Sequence, residues 1–100
     1  MAEECFLHEL DRVVEERLRG ASTGESYTAS LAARGREYVA RKLGEEAVET
    51  IVEAVRGDRE ALRREAADLL YHLIVLLRVS GLSLRDVEEE LEARARWRRG

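Results

Sequence analysis

No stretch of this chain alternates apolar and polar residues as a half-buried strand must. From end to end its apolar side chains recur three and four apart. That is the α-helical period, and with no proline in the sequence the interruptions fall to glycine. Phe6, Leu7, Leu10, Val13, Val14 and Leu18 make the stripe of a first helix over about residues 3–19. Gly20 to Gly24 reads as a flexible loop, and Ser26, Tyr27 and Thr28 lead with cap-type side chains into a short helical piece that Gly35 breaks. A second long helix carries Val39, Leu43, Ala47, Ile51 and Val55 on one face and stops at Gly57. Asp58 then caps a third helix that runs to about Ser80 and ends at Gly81. Ser83 and Asp86, spaced as a capping box, open the last helix, which ends in a basic run with Trp97.

The expected fold is therefore all-α, a helical bundle of four to five helices in a single domain spanning residues 1–100. The run Leu69 to Leu77 is apolar nearly all round its helix, so it demands burial nearly all round. A domain of 100 residues buries only about two-thirds of its unfolded surface. Completion of the bundle by a homodimer is the expected remedy.

Seventeen basic residues stand against 21 acidic ones, a net charge of −4, which gives no general attraction to nucleic acid or to an anionic membrane. No apolar stretch is long enough to span a bilayer and the start is not a signal peptide, so a cytoplasmic protein is expected. Cys5 stands alone, which excludes an intrachain disulfide and a thiolate metal site. Every basic residue but Lys42 is arginine.

Against this background the acids Glu45, Glu46 and Glu49, then Glu65 and Asp68, stand out. On a helix Glu46 and Glu49 share a face about 4.5 Å apart along the axis, as do Glu65 and Asp68 on theirs. Like charges at this spacing repel by a few tenths of a kcal/mol. If the two helices pack side by side, the carboxylates converge into an oxygen cage suited to Mg²⁺, leaving room for water and phosphate oxygens. The alternative is a pair of solvated faces, with Arg64 paired to Asp68 and Arg41 to Glu45. Glu45 is either a further ligand or a general base, and Lys42, one turn earlier, can neutralise a phosphate oxygen. Ser26, Tyr27 and Thr28 offer hydroxyls to a ligand, although capping explains Ser26 and Thr28 almost as well. His72, one turn past Asp68, reads more readily as a hydrogen-bonded core residue than as a ligand. The arginines near the C-terminus complement a helix dipole and need no ligand.

Three segments together carry a resemblance: Ser26-Tyr27-Thr28, Lys42-Leu43-Gly44-Glu45-Glu46-Ala47-Val48-Glu49, and Glu65-Ala66-Ala67-Asp68-Leu69-Leu70-Tyr71-His72. They closely resemble the phosphoribosyl-ATP pyrophosphohydrolases of histidine biosynthesis, within the all-α, MazG-like nucleotide pyrophosphohydrolases, over roughly residues 6–94. The resemblance implies Mg²⁺-dependent hydrolysis (Mn²⁺ being a substitute) of the α–β phosphoanhydride of phosphoribosyl-ATP to phosphoribosyl-AMP and pyrophosphate. By position it implies Glu46, Glu49, Glu65 and Asp68 as metal ligands, Glu45 as the catalytic helper and Lys42 near the phosphates. It also implies a helical homodimer. Because the chain starts at Met1 and holds only this part, the cyclohydrolase of the next step is expected as a separate protein. The alternative within the same superfamily is a house-cleaning enzyme for non-canonical or deoxynucleoside triphosphates.

Overall fold

A computed structural model describes residues 5–20 and 26–99, with side chains to residue 95. The expected loop at 21–25 and the side chains of the basic end, Trp97 included, lie outside the described residues. Five helices follow in order: α1 (Phe6–Leu18), α2 (Tyr27–Ala33), α3 (Arg36–Arg56), α4 (Arg59–Val79) and α5 (Leu84–Arg99). No strand occurs among the described residues, so the all-α expectation holds.

The helix ends follow from local chemistry. The Ser26 hydroxyl accepts from the Ala29 backbone N–H at 3.2 Å, and the Asp58 carboxylate accepts from that of Ala61 at 3.0 Å. The Asp86 carboxylate accepts from the Ser83 N–H at 2.8 Å while the Ser83 hydroxyl accepts from the Asp86 N–H at 3.3 Å, a reciprocal capping box. Gly57 turns the chain from α3 towards α4 at φ 81°, a left-handed conformation that strains any residue with a Cβ. Gly35, at φ 100°, makes the break between α2 and α3.

α3 and α4 form an antiparallel hairpin about this turn, by far the most extensive helix contact in the fold. α1 and α2 pack across it, and the buried core sits where the four helices meet: Val14 from α1, Leu31 from α2, Val39 from α3, Ile74 and Val75 from α4. No residue of α5 joins that set. Its start is tied to α1 by polar contacts instead. Asp11, 4% exposed, accepts from Arg78 Nε and Nη2 at 2.8 Å each and from the Leu84 backbone N–H at 3.3 Å. Glu15 lies 3.4 Å from the same guanidinium, and His8 pairs with Glu88 of α5 at 3.2 Å.

Two expectations about the apolar faces need correction. Phe6 is exposed rather than part of the α1 stripe. On α3, Val39 is fully buried but Ile51 is 61% and Val55 83% exposed, so the five residues read as one face do not share it. Residues four apart are offset by about 400°, so the row drifts by about 40° per step and about 160° from Val39 to Val55. It winds from the core to the far side of the helix. There Val48, Ile51, Val52 and Val55 form an uncovered stripe. In the apolar run of α4, Ile74 and Val75 are buried within the chain and Leu70 is 43% exposed. The larger uncovered apolar face thus lies on α3.

The Asp11–Arg78 pair is a buried charge whose partners come from three helices. Removing one member of such a pair leaves the other desolvated and uncompensated, at a cost of roughly 3 kcal/mol or more. Asp11→Ala should therefore lower the urea midpoint by an amount equivalent to about 3 kcal/mol, far above the ~0.5 kcal/mol typical of surface substitutions. A shift in the surface range would contradict this role.

Candidate metal centre and its surroundings

The hairpin explains which acids meet. Glu49 lies eight residues before Gly57 and Glu65 eight after it, so an antiparallel pair turning there sets the two opposite each other. Glu46 is one turn further from the bend on the Glu49 face. Carboxylate oxygens of Glu46, Glu49 and Glu65 all lie within 4.8 Å of one another. Asp68 is not a member of this triangle, although its charge is felt by both Glu46 and Glu65.

Such crowding holds protons. Glu65 is pushed up to about 7, first by a hydrogen bond with Glu49, then by burial and by repulsion from Glu49, Glu46 and Asp68. A hydrogen bond between two carboxyl groups requires a proton on one of them, and the raised group is Glu65. Glu46 is raised too, by burial first and then by Glu49 and Asp68. Oε1 of Glu46 and Oε1 of Glu65 are buried with no hydrogen-bond partner among the described residues. Orphaned carboxylate oxygens are costly to bury, and hard, oxygen-only donors in this arrangement suit Mg²⁺ or Mn²⁺. The donor set fits a divalent cation.

Glu45 lies outside the triangle and pairs with Lys42 at 3.4 Å rather than with Arg41. That contact raises the Lys42 ammonium. Arg64 pairs with Glu60 at 3.9 Å rather than with Asp68, which is exposed.

The Ser-Tyr-Thr segment divides by role. Ser26 is buried as the cap of α2 and also accepts from Arg17 at 3.4 Å. Thr28 is buried and bonds the Tyr71 hydroxyl. Tyr27, 54% exposed, is the member available to a ligand. His72 Nδ1 lies 2.7 Å from the carbonyl oxygen of Asp68, which can only accept, so that nitrogen carries the hydrogen. Nε2 hydrogen-bonds the Tyr27 hydroxyl at 3.1 Å. His72 is a hydrogen-bonded core residue, as the sequence suggested, and it fixes Tyr27 from behind. Tyr27 stacks on Tyr71 with ring centroids 6.0 Å apart.

A feature that sequence reasoning missed lies on the same face of α3. Tyr38 stands one turn before Lys42, and the guanidinium carbons of Arg34 and Arg41 lie over its ring at 4.2 and 5.5 Å. The spacing Tyr38, Lys42, Glu46 was visible as a four-residue row, but the approach of Arg34 from α2's end depends on the turn at Gly35. An open hollow of about 530 Å³ is lined by Arg41, Gly44, Glu45, Val48 and Glu49.

Residues 7–95 match the family model for phosphoribosyl-ATP pyrophosphohydrolase. The chain belongs to that family. It is 52% identical over 88 residues to the phosphoribosyl-ATP pyrophosphatase of Agrobacterium fabrum, covering 88% of this chain and 81% of that protein. The protein of the same name from Rhizobium rhizogenes is 52% identical over 88 residues, with 88% and 84% covered. The histidine biosynthesis bifunctional protein HisIE of Photobacterium profundum is 53% identical over 89 residues, 89% of this chain but 42% of that longer protein. The acids of the triangle, Asp68, Lys42 and the Ser-Tyr-Thr segment all lie within the stretch matched by the phosphoribosyl-ATP pyrophosphohydrolase family.

The raised Glu65 makes a pH prediction for the metal-free protein. Glu65 in the folded state binds a proton up to about pH 7, whereas an ordinary glutamate releases it near 4.5. Between these values the folded state holds more protons than the unfolded one, so stability falls as pH rises. In chelator, the melting temperature should decline from pH 5 to pH 7.5, and Glu65→Gln should flatten that decline. A rise with pH over this window, or an equal slope in the variant, would contradict a raised Glu65.

Proposed function

We propose that this chain hydrolyses phosphoribosyl-ATP at its α–β phosphoanhydride, releasing phosphoribosyl-AMP and pyrophosphate, the second step of histidine biosynthesis. Family membership over residues 7–95 supports the substrate, and the convergence of Glu46, Glu49 and Glu65 supports the chemistry. The convergence is the observation that carries the reading, because an acidic protein meets a triphosphate only through cations.

Glu46, Glu49 and Glu65, with Asp68 beside them, would hold Mg²⁺ or Mn²⁺. Bound there, the ion neutralises phosphate oxygens, lowers the pKa of water and stabilises charge on departing pyrophosphate. The chain's own groups supply the rest. Lys42 Nζ offers a further positive charge to the phosphates. The Glu45 carboxylate, held at Lys42, takes the proton from attacking water. Tyr27, fixed by His72, gives its exposed ring and phenol edge to the bound nucleotide. No covalent intermediate is needed. Among the described residues no single helix is long and apolar enough to cross a membrane, and the proposed place of action is the cytoplasm.

The uncovered stripe Val48, Ile51, Val52 and Val55 lies on the side of α3 away from α4, and we assign it to a second copy of the chain. Apolar patches of this kind on small proteins mark interaction surfaces. Light scattering should give twice the 11.4 kDa chain mass, and Ile51→Glu should return it to the single-chain mass. A single-chain mass for the unaltered protein would remove the dimer from this account.

Phosphoribosyl-ATP should be hydrolysed much faster than ATP, dUTP or dCTP at equal concentration, with pyrophosphate released and activity lost in chelator. Glu49→Gln should lower kcat by roughly a hundredfold or more, the equivalent of several kcal/mol of lost charge stabilisation. A deoxynucleotide outrunning phosphoribosyl-ATP would replace the histidine-pathway reading with the house-cleaning one.

A further inference from the structure

We infer that Arg34 and Arg41, held over the Tyr38 ring, bind the monophosphate of the substrate's phosphoribosyl group and so separate phosphoribosyl-ATP from ATP. The inference rests on the proposed reaction and adds to it the residues that choose the substrate.

Phosphoribosyl-ATP carries phosphate at two ends, a triphosphate and a ribose monophosphate. The triphosphate belongs at the acid triangle, where a divalent cation would bridge carboxylates to phosphates. That arrangement serves every nucleoside triphosphate equally and selects none. The second phosphate is a dianion that a protein of net charge −4 can hold only with locally placed cations. Arg34 and Arg41 are so placed. Their guanidinium carbons lie 4.2 and 5.5 Å from the centre of one aromatic ring, which places both positive charges beside Tyr38. Among the described residues neither is paired with a carboxylate, whereas Arg19 pairs with Glu15, Arg78 with Asp11 and Arg94 with Glu90. A phosphate dianion would offset these charges, and guanidinium forks match phosphate oxygens with paired hydrogen bonds.

The position suits the substrate's length. Tyr38, Lys42, Glu46 and Glu49 follow one another along a single face of α3, with Tyr38 about 12 Å along the axis from Glu46. The row runs from guanidinium pair to lone lysine to acids, so cationic and metal-binding ends are separated by about two turns. Beside this row lies the open hollow of about 530 Å³ lined by Arg41, Gly44, Glu45, Val48 and Glu49, a size suited to a nucleoside. Val48 also belongs to the stripe assigned to a second copy, so the hollow would open at that interface. Tyr27 stands beside this row, since Lys42, Tyr38 and Glu46 all act on its phenol. Stacking on Tyr38 also fixes the two side chains in advance, which reduces the entropy lost when they close on a phosphate.

The test compares kcat/KM for phosphoribosyl-ATP and for ATP in the unaltered dimer and in Arg34→Gln, Arg41→Gln and the double variant. Ribose 5-phosphate serves as a competitive probe of the monophosphate site alone. Both arginines are exposed, and circular dichroism establishes that each variant is folded. Each single variant should lower the phosphoribosyl-ATP to ATP ratio of kcat/KM by about tenfold or more, mainly through KM, as expected for loss of a charge-assisted phosphate contact. Inhibition by ribose 5-phosphate should weaken in parallel. An unaltered protein that prefers phosphoribosyl-ATP, with the same ratio in all three variants, would overturn this inference and leave the proposed reaction standing. An unaltered protein with no such preference would overturn both.

Discussion

Repulsion among three carboxylates, held within 4.8 Å of one another, sets the terms for the rest of this molecule. Left alone, such groups would push α3 and α4 apart or swing into water. Two features prevent this. The hairpin is bonded through a turn that only glycine accommodates without strain, and its far end is pinned by Val39 against Ile74 and Val75 in the buried core. The acids sit between these two anchors. The protein answers the remaining repulsion by raising Glu65, which holds its proton towards neutral pH beside Glu49. The unpartnered oxygens of Glu46 and Glu65 show that the protein itself does not finish the job.

Much of this arrangement could be read from the residues, because it depends on short-range rules. Ser26, Asp58 and the Ser83–Asp86 box cap as their side chains dictate, and glycines close the long helices. The acid pairs were legible because a glycine turn midway between Glu49 and Glu65 leaves an antiparallel hairpin little freedom in register. What escaped was long-range. Nothing local marks Asp11, on a charged stretch of α1, as the partner of Arg78, 67 residues on. Counting in fours also misplaced Ile51 and Val55, since the row's slow rotation only becomes large over several turns. Asp68 stands beside the triangle of the other three acids and acts on Glu46 and Glu65 through its charge.

The surroundings of the triangle divide the work along one helix face. Acids at one end of the row can take a cation, and Lys42 and the paired guanidiniums at Tyr38 supply fixed positive charge towards the other. Tyr27 is set against this row by a histidine that a backbone carbonyl orients. A substrate with phosphates at both ends would lie along such a row in one direction only. In this account direction comes from charge order, and chemistry comes from the acid end.

The claim beneath all of this is that the carboxylates of α3 and α4 form one cation site. Titration of Mn²⁺ into the protein, followed by the loss of the free-ion electron paramagnetic resonance signal, tests it without substrate. The account predicts saturable uptake that both Glu49→Gln and Glu65→Gln abolish while helical circular dichroism is retained. Uptake that is absent from the unaltered protein, or that survives in both folded variants, would contradict it.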